Sequence, residues 1–260
     1  MGKNKLRKFA EMEQFSRVLQ VPFGKLQAEG FELKGKWHSD FFGNDNPIVL
    51  ELGCGRGEYT VGLARKFPDR NFIGIDIKGA RMWAGAKEAN AENLTNAGFL
   101  RTNIELLPHF FAPGEVAEIW ITFPDPQMKK VRKRLTSTRF LELYSQFMAD
   151  NGRINLKTDS PFLYEYTSRL VALNQLETKV NTADLYHDAA VQASEISSLL
   201  EIRTHYESQW LARGLSIKYL AFLLPKGKAL QEPEADDIPL DSYRSYGRNY
   251  NTNTPTDNEE

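Results

Sequence analysis

The sequence predicts an α/β fold, a parallel sheet with crossover helices, and three observations predict it. From about residue 48, short β-branched or aliphatic runs alternate with longer amphipathic stretches. The first run leads into a turn with glycines at 53, 55 and 57, followed by a helical segment. Acids stand at the ends of the second and fourth runs, Asp76 and Asp125, where a parallel sheet presents its ligand-facing edge.

Each element follows from local pattern. "PIVLEL" is the first strand, and "GEYTVGLARKF" sets Tyr59, Leu63 and Phe67 on one helical face. "NFIGIDI" is the second strand, with a helix through "ARMWAGAKEANAEN". "AGFLRTN" is the third, with a short helix near "IELLPHFF", and "VAEIWITF" is the fourth. The segment "STRFLELYSQFM" reads as a helix capped by Ser137 or Thr138. "GRINLKT" is the fifth strand, "SPFLYEYTSRLVALN" a helix with Pro161 in its first turn, and "LSIKYLAFLLP" a last strand ended by Pro225. Residues 1–47 form an arm, either helical through "KNKLRKFAEMEQFSRVL" or loose; 48–225 form the domain; 226–260 form an acidic tail.

Bulk properties narrow the function. With 260 residues, 41% hydrophobic and 26% charged, the chain has ordinary globular composition. It shows no apolar run of membrane-spanning length and no secretory signal pattern, so a soluble cytoplasmic protein without a membrane partner is expected. One cysteine and four scattered histidines, His38, His109, His187 and His205, offer no metal cluster, and no metal is expected. Residues 231–260 carry eight acids and two arginines, which leaves residues 1–230 at +5 despite the overall charge of -1. That tail is poor in aliphatic residues and is expected to be mostly disordered.

The glycine turn bends the backbone sharply and lets it approach a ligand at the next helix's free N–H groups. Its G-x-G-x-G spacing differs from the dinucleotide-binding G-x-G-x-x-G. Glu51 just before it repels a pyrophosphate but suits the ammonium of a bound amino acid, such as that of S-adenosyl-L-methionine. Asp76, 19 residues after Gly57, is placed to accept from both ribose hydroxyls; otherwise it is a strand-terminal turn acid. Asn103 lies level with the adenine and either holds its amine or is a plain loop residue. These three strand ends describe a Rossmann-like methyltransferase domain using S-adenosyl-L-methionine. Cys54 inside the turn reads as a small structural residue rather than a covalent nucleophile.

On the acceptor side, two prolines hold Asp125 out from the fourth strand, and Lys129, Lys130, Arg132, Lys133 and Arg134 follow. Such a run displaces counterions from a phosphate backbone, or is merely a solvated face. Asp159 in "KTDS" is a substrate contact, a helix N-cap, or both. In "THYE", a capping box alone could explain Thr204 with Glu207.

Taken together, "LELGCGRGEYTVGLA", "NFIGIDI", "FPDPQMKKVRKRLT", "LKTDS" and "THYE" resemble the bacterial tRNA (guanine-N7)-methyltransferases, from about residue 40 to 224 in the same order. The resemblance implies a seven-stranded class I methyltransferase sheet, mostly parallel with an antiparallel last strand and helices on both faces. It implies methyl transfer from S-adenosyl-L-methionine to N7 of a guanine in the tRNA variable loop. Glu51, Gly53, Gly55, Asp76, Asn103 and Asp125 would line the cofactor and active site, with Asp125 catalytic. Lys129 and Asp159 would contact substrate, Thr204, Tyr206 and Glu207 would close the pocket, and residues 131–136 would touch RNA. Two positions depart from the family pattern: Gln127 stands where Trp is usual, and Asn103 where Asp is common. A methyltransferase of a small molecule or protein, or a catalytically silent RNA-binding relative, remains the alternative.

Overall fold

The computed structural model of the protein describes residues 3–193 and 195–243. Helix α1 (Lys3–Glu13), strand β1 (Val18–Gln20), helix α2 (Phe23–Glu29) and a π-helical turn over Trp37–Phe42 come first. The alternation then runs β2 (Ile48–Leu52), α3 (Glu58–Lys66), β3 (Asn71–Asp76), α4 (Gly79–Ala91), β4 (Ala97–Arg101), α5 (Leu107–Phe110) and β5 (Val116–Thr122). After the basic loop come α6 (Thr138–Ser145), β6 (Met148–Thr158), α7 (Pro161–Leu173), β7 (Thr178–Thr182), α8 (Ala189–Gln192), α9 (His205–Ala212) and β8 (Lys218–Leu224).

One sheet holds the strands in the order β1-β4-β3-β2-β5-β6-β8-β7. Pairing is parallel except where β8 runs antiparallel to both β6 and β7. Every residue of β2 is buried, as expected of a central strand covered on both faces. Its alternation divides the core: Ile48, Leu50 and Leu52 join one apolar cluster, Val49 the other. Because the chain winds outward from β2 to β4 and returns to β5 beside β2, the carboxyl ends of these strands open a crevice at the reversal.

The described residues contain eight strands rather than seven. The extra pairing lies at the edges, where β1 has three residues and β7, "TKVNT", is largely exposed and so lacks an apolar alternation to read. The arm packs into the domain, and its helix stops at Glu13, short of the helical reading through Leu19, because Val18 and Leu19 pair in the sheet. Its β1 pairs with β4, and the Trp83 indole of α4 donates to Glu11 of α1 at 2.7 Å.

The disordered-tail expectation does not describe residues 231–243, which form a strap across α6 and α7. Asn174 and the Gln231 backbone exchange two hydrogen bonds of 2.7 and 2.8 Å, and Glu232 accepts from the hydroxyls of Thr138 and Tyr166. Asp237 pairs with Arg169, and Ile238 is buried in the main core cluster. Composition hides this because one apolar anchor and specific polar partners, rather than bulk hydrophobicity, order the strap. Residues 244–260 of that expectation lie outside the described residues.

Two capping expectations change. Ser137 occupies the N-cap of α6 without a side-chain capping bond, and the Thr138 hydroxyl goes to Glu232 instead. At α7 the cap is Ser160, whose hydroxyl oxygen accepts from the Leu163 N–H at 2.9 Å, not Asp159; Pro161 takes the first helical position as expected.

Candidate active site

The glycine turn between β2 and α3 is formed by three left-handed residues, Gly53, Gly55 and Gly57, with φ of 76°, 55° and 75°. Gly57 has a second constraint, since a Cβ there would lie 2.7 Å from the Phe99 ring. At Gly53 a Cβ would meet nothing within 4 Å, so the backbone faces open space. That space is a cleft of about 330 Å³ bounded by Gly53, Asp76 and Asn103 on one side and by Gln127, Lys133 and Phe140 on the other.

Asp76 ties the cleft together. One carboxylate oxygen accepts from the Gly55 N–H at 2.9 Å and the other from the Lys78 N–H at 2.7 Å, which fixes the turn and the start of α4. The turn-acid reading holds, and each oxygen keeps a further lone pair for a ligand. Asn103 stands at the N-cap of a short 3-10 turn, yet its side chain makes no capping bond there.

Glu51 lies beneath the turn, 3% exposed, and does not line the cleft. Its carboxylate accepts from the Thr60 N–H at 2.9 Å and from the hydroxyls of Thr60 and Thr122 at 2.5 and 2.7 Å, stapling α3 and β5 to β2. Burial pushes its carboxyl up to about 7, against the opposing pull of those hydrogen bonds. The folded state thus holds the proton more tightly than the unfolded chain, so Glu51's contribution falls as pH rises from the ordinary carboxylate range through about 7. Glu51→Gln removes the buried charge and keeps one oxygen to accept from Thr60, while the Thr122 hydroxyl can turn to accept from the new amide N–H. Its stability relative to wild type should climb by about 3 kcal/mol between about pH 4 and 8. Thermal unfolding across that range checks this; a constant difference contradicts it.

Cys54 is buried among apolar side chains, and burial raises its thiol well above the usual range. It is therefore the small structural residue expected, not an exposed thiolate.

The loop after β5 carries the groups expected on the acceptor side. The Phe123 N–H donates to the Lys157 carbonyl at 2.8 Å, so the ends of β5 and β6 lie side by side with Asp125 and Asp159 two residues beyond. Phe123 and Gln127 both have positive φ, 48° and 47°, a strained backbone that turns the loop sharply at each end. Asp125 is exposed, and its Oδ1 accepts from the Gln127 N–H at 3.1 Å, which holds the carboxylate over the loop. Gln127 has a backbone role: its carbonyl accepts from the Lys130 N–H at 2.9 Å and from the Arg134 guanidinium at 3.2 Å.

Arg134 is not a surface cation. It is 3% exposed, donates also to the Met128 carbonyl at 2.7 Å, and lies over the rings of Phe162 and Tyr166. A guanidinium can be enclosed by carbonyls and aromatic faces in this way, and the loop folds around it. Lys129, Lys130, Arg132 and Lys133 remain exposed.

Three residues expected to touch substrate are enclosed. Asp159 is 0% exposed, and its Oδ2 accepts from the Tyr243 hydroxyl at 2.7 Å. Thr204 and Glu207 form a capping box for α9, and the fully buried Glu207 also pairs with Lys157 at 2.7 Å and accepts from Tyr186. Tyr206 of that motif is 44% exposed, and its neighbour His205 is exposed too. Lys157, Trp210 and Tyr243 were missed by the sequence reading.

A cleft walled by glycine backbone and carboxylates, with no phosphate-binding spacing, suits a cationic nucleoside, and with this sheet order it defines a Rossmann-like class I methyltransferase domain. Solved structures agree on the fold: an antibiotic related methyltransferase (TM-score 0.53, 14% identity, 80% of this chain and 96% of that one) and the 16S rRNA methyltransferase KamB (0.51, 16%, 69% and 88%). Residues 45–220 match the family described as "Putative methyltransferase". Proteins named tRNA (guanine-N(7)-)-methyltransferase are 62% identical over 240 residues in Porphyromonas gingivalis (91% of this chain, 96% of that protein) and 58% over 248 in Bacteroides fragilis (95% and 96%). The chain belongs to the tRNA (guanine-N7)-methyltransferase family. Among the described residues no helix is long and apolar enough to cross a membrane, and no group of three or more His, Cys, Asp or Glu could hold a metal ion.

Proposed function

We infer that the protein transfers a methyl group from S-adenosyl-L-methionine to N7 of a guanine in the tRNA variable loop. The observation that carries this reading is the exposed Asp125 carboxylate, held beside the glycine cleft and followed at once by four exposed cations. The residues present fit the cofactor: Asp76 would take the ribose, Asn103 the adenine amine, and the Gly53 and Gly55 backbone the amino-acid portion, with Glu51 holding the turn from below through Thr60 and Thr122. When bound, the cofactor supplies a methyl on a positive sulfonium.

Guanine N7 already carries an in-plane lone pair and no proton, so the chain needs no general base. Most of the rate comes from alignment. Positive charge develops on the purine ring, and the Asp125 carboxylate stabilises it, with Asp159 adding negative charge from the buried neighbouring strand end. Lys129 contacts the substrate from the same loop, and Lys130, Arg132 and Lys133 hold the phosphates. Lys133 also borders the cleft, which supports the reading that RNA is held next to the donor.

The test is to incubate the protein with unmodified tRNA and a labelled methyl donor, then digest. Label in 7-methylguanosine supports the reading; label in another nucleoside, or none in RNA, overturns it. A further expectation concerns the loop. Alanine at Lys129, Lys130 and Lys133 together should weaken tRNA binding and lower the slope of log affinity against log salt by about 2. An unchanged slope would make the run a solvated face.

A further inference from the structure

The acceptor end of the sheet is finished by the strap. Asp241, 6% exposed, anchors it there: its carboxylate accepts from the Ser160 hydroxyl at 2.5 Å and from the Phe162 N–H at 3.1 Å, at the first turn of α7. Its own N–H meets the Met128 sulfur at 3.1 Å, next to Gln127 in the acceptor loop. Two residues on, the Tyr243 hydroxyl donates to Asp159, and the Tyr243 ring meets Trp210 edge-on at 5.6 Å between centroids. Asp159 is enclosed, whereas Tyr243 and Trp210 are each half-buried and present ring surface. Trp210 lies one helical turn beyond the exposed Tyr206, on the same face of α9.

Resting on the reading of the protein as a tRNA guanine methyltransferase, we propose that Tyr243 is a specificity-determining residue which, with Trp210, forms the aromatic wall that receives the target guanine. The role follows from how the ring is held. A hydrogen bond to a buried carboxylate fixes its tip, and the Trp210 edge fixes its plane, so little ordering is left for the moment of binding. A turned-out purine then gains stacking surface beside Asp125. Asp159 acts through this contact, as the group that sets the ring, rather than by touching the base.

The test compares Tyr243→Phe, Tyr243→Ala and Tyr243→Trp with wild type in kcat and KM for unmodified tRNA, with the Kd for S-adenosyl-L-methionine and the thermal midpoint measured alongside. Tyr243→Ala should raise KM for tRNA about tenfold while the cofactor Kd stays at the wild-type value. Tyr243→Phe, which keeps the ring and loses its tether, should raise it about threefold, and Tyr243→Trp should recover most of the loss to alanine. An unchanged KM in Tyr243→Ala overturns the proposal. So does a fall in KM, which would make the strap a plug over the acceptor site, or a loss of cofactor binding, which would make the residue merely structural. Wild-type protein that forms no 7-methylguanosine in tRNA defeats the functional reading itself; normal wild-type activity with unaltered variants defeats only this inference.

Discussion

Asp125→Ala should lower kcat for guanine methylation by about 10²–10³-fold while changing the Kd for S-adenosyl-L-methionine by no more than about twofold. The carboxylate is exposed, three residues beyond the last β5–β6 register pair at Thr122, and the cleft is walled by other residues, so the variant should separate cofactor binding from chemistry. Alanine also removes the acceptor of the Gln127 N–H, and that could loosen the loop. Asp125→Asn isolates the charge, because an amide oxygen can still accept that bond. A loss in the Asn variant close to that in the Ala variant assigns the effect to the charge. Full activity in the Asn variant would show that the loop turn alone matters and would end the electrostatic assignment. Single-turnover rates with saturating cofactor make the measurement.

The second large effect concerns Lys157 and Glu207. Their side chains are 1% and 0% exposed and 2.7 Å apart, and the Lys157 ammonium also lies over the Tyr59 ring. Burial pulls the Lys157 ammonium down from its usual range, and the Glu207 carboxylate opposes that pull. Removing either partner strands the other charge in the interior, so Lys157→Ala or Glu207→Ala should each cost about 3–5 kcal/mol in urea unfolding. The pair replaced together, Lys157→Met with Glu207→Leu, should recover most of this, since two apolar groups leave no orphaned charge. A double variant as unstable as either single one would show that the hydrogen bonds around Glu207, not the stranded charge, carry the energy. Because Glu207 also closes the α9 capping box, either single loss should also loosen the helix that carries Tyr206 and Trp210.

The glycine-turn side was the legible part of the candidate site. Gly53, Asp76 and Asn103 are brought to one cleft, because each follows directly from a strand end and parallel strands end together. The basic run was legible as charge but not as individual roles. Arg134 reads in sequence like its four neighbours, yet it is the one among them enclosed, because a side chain's burial depends on what α7 places above it. "THYE" was ambiguous between cap and contact, and the structure gives Thr204 and Glu207 to the cap and leaves Tyr206 at the surface.

By itself the sequence determined the alternating core from residue 48 to 224, the glycine turn, the acids at the strand ends and the family. All of these are encoded locally, in apolar period and in residues that alone tolerate a given backbone. Tertiary structure decided the edge strands, the burial of Arg134, Asp159 and Glu207, and the course of the strap to Tyr243. These depend on contacts between segments far apart in the chain, such as the 84-residue separation of Tyr243 and Asp159, and no local pattern records which partner a polar side chain will meet.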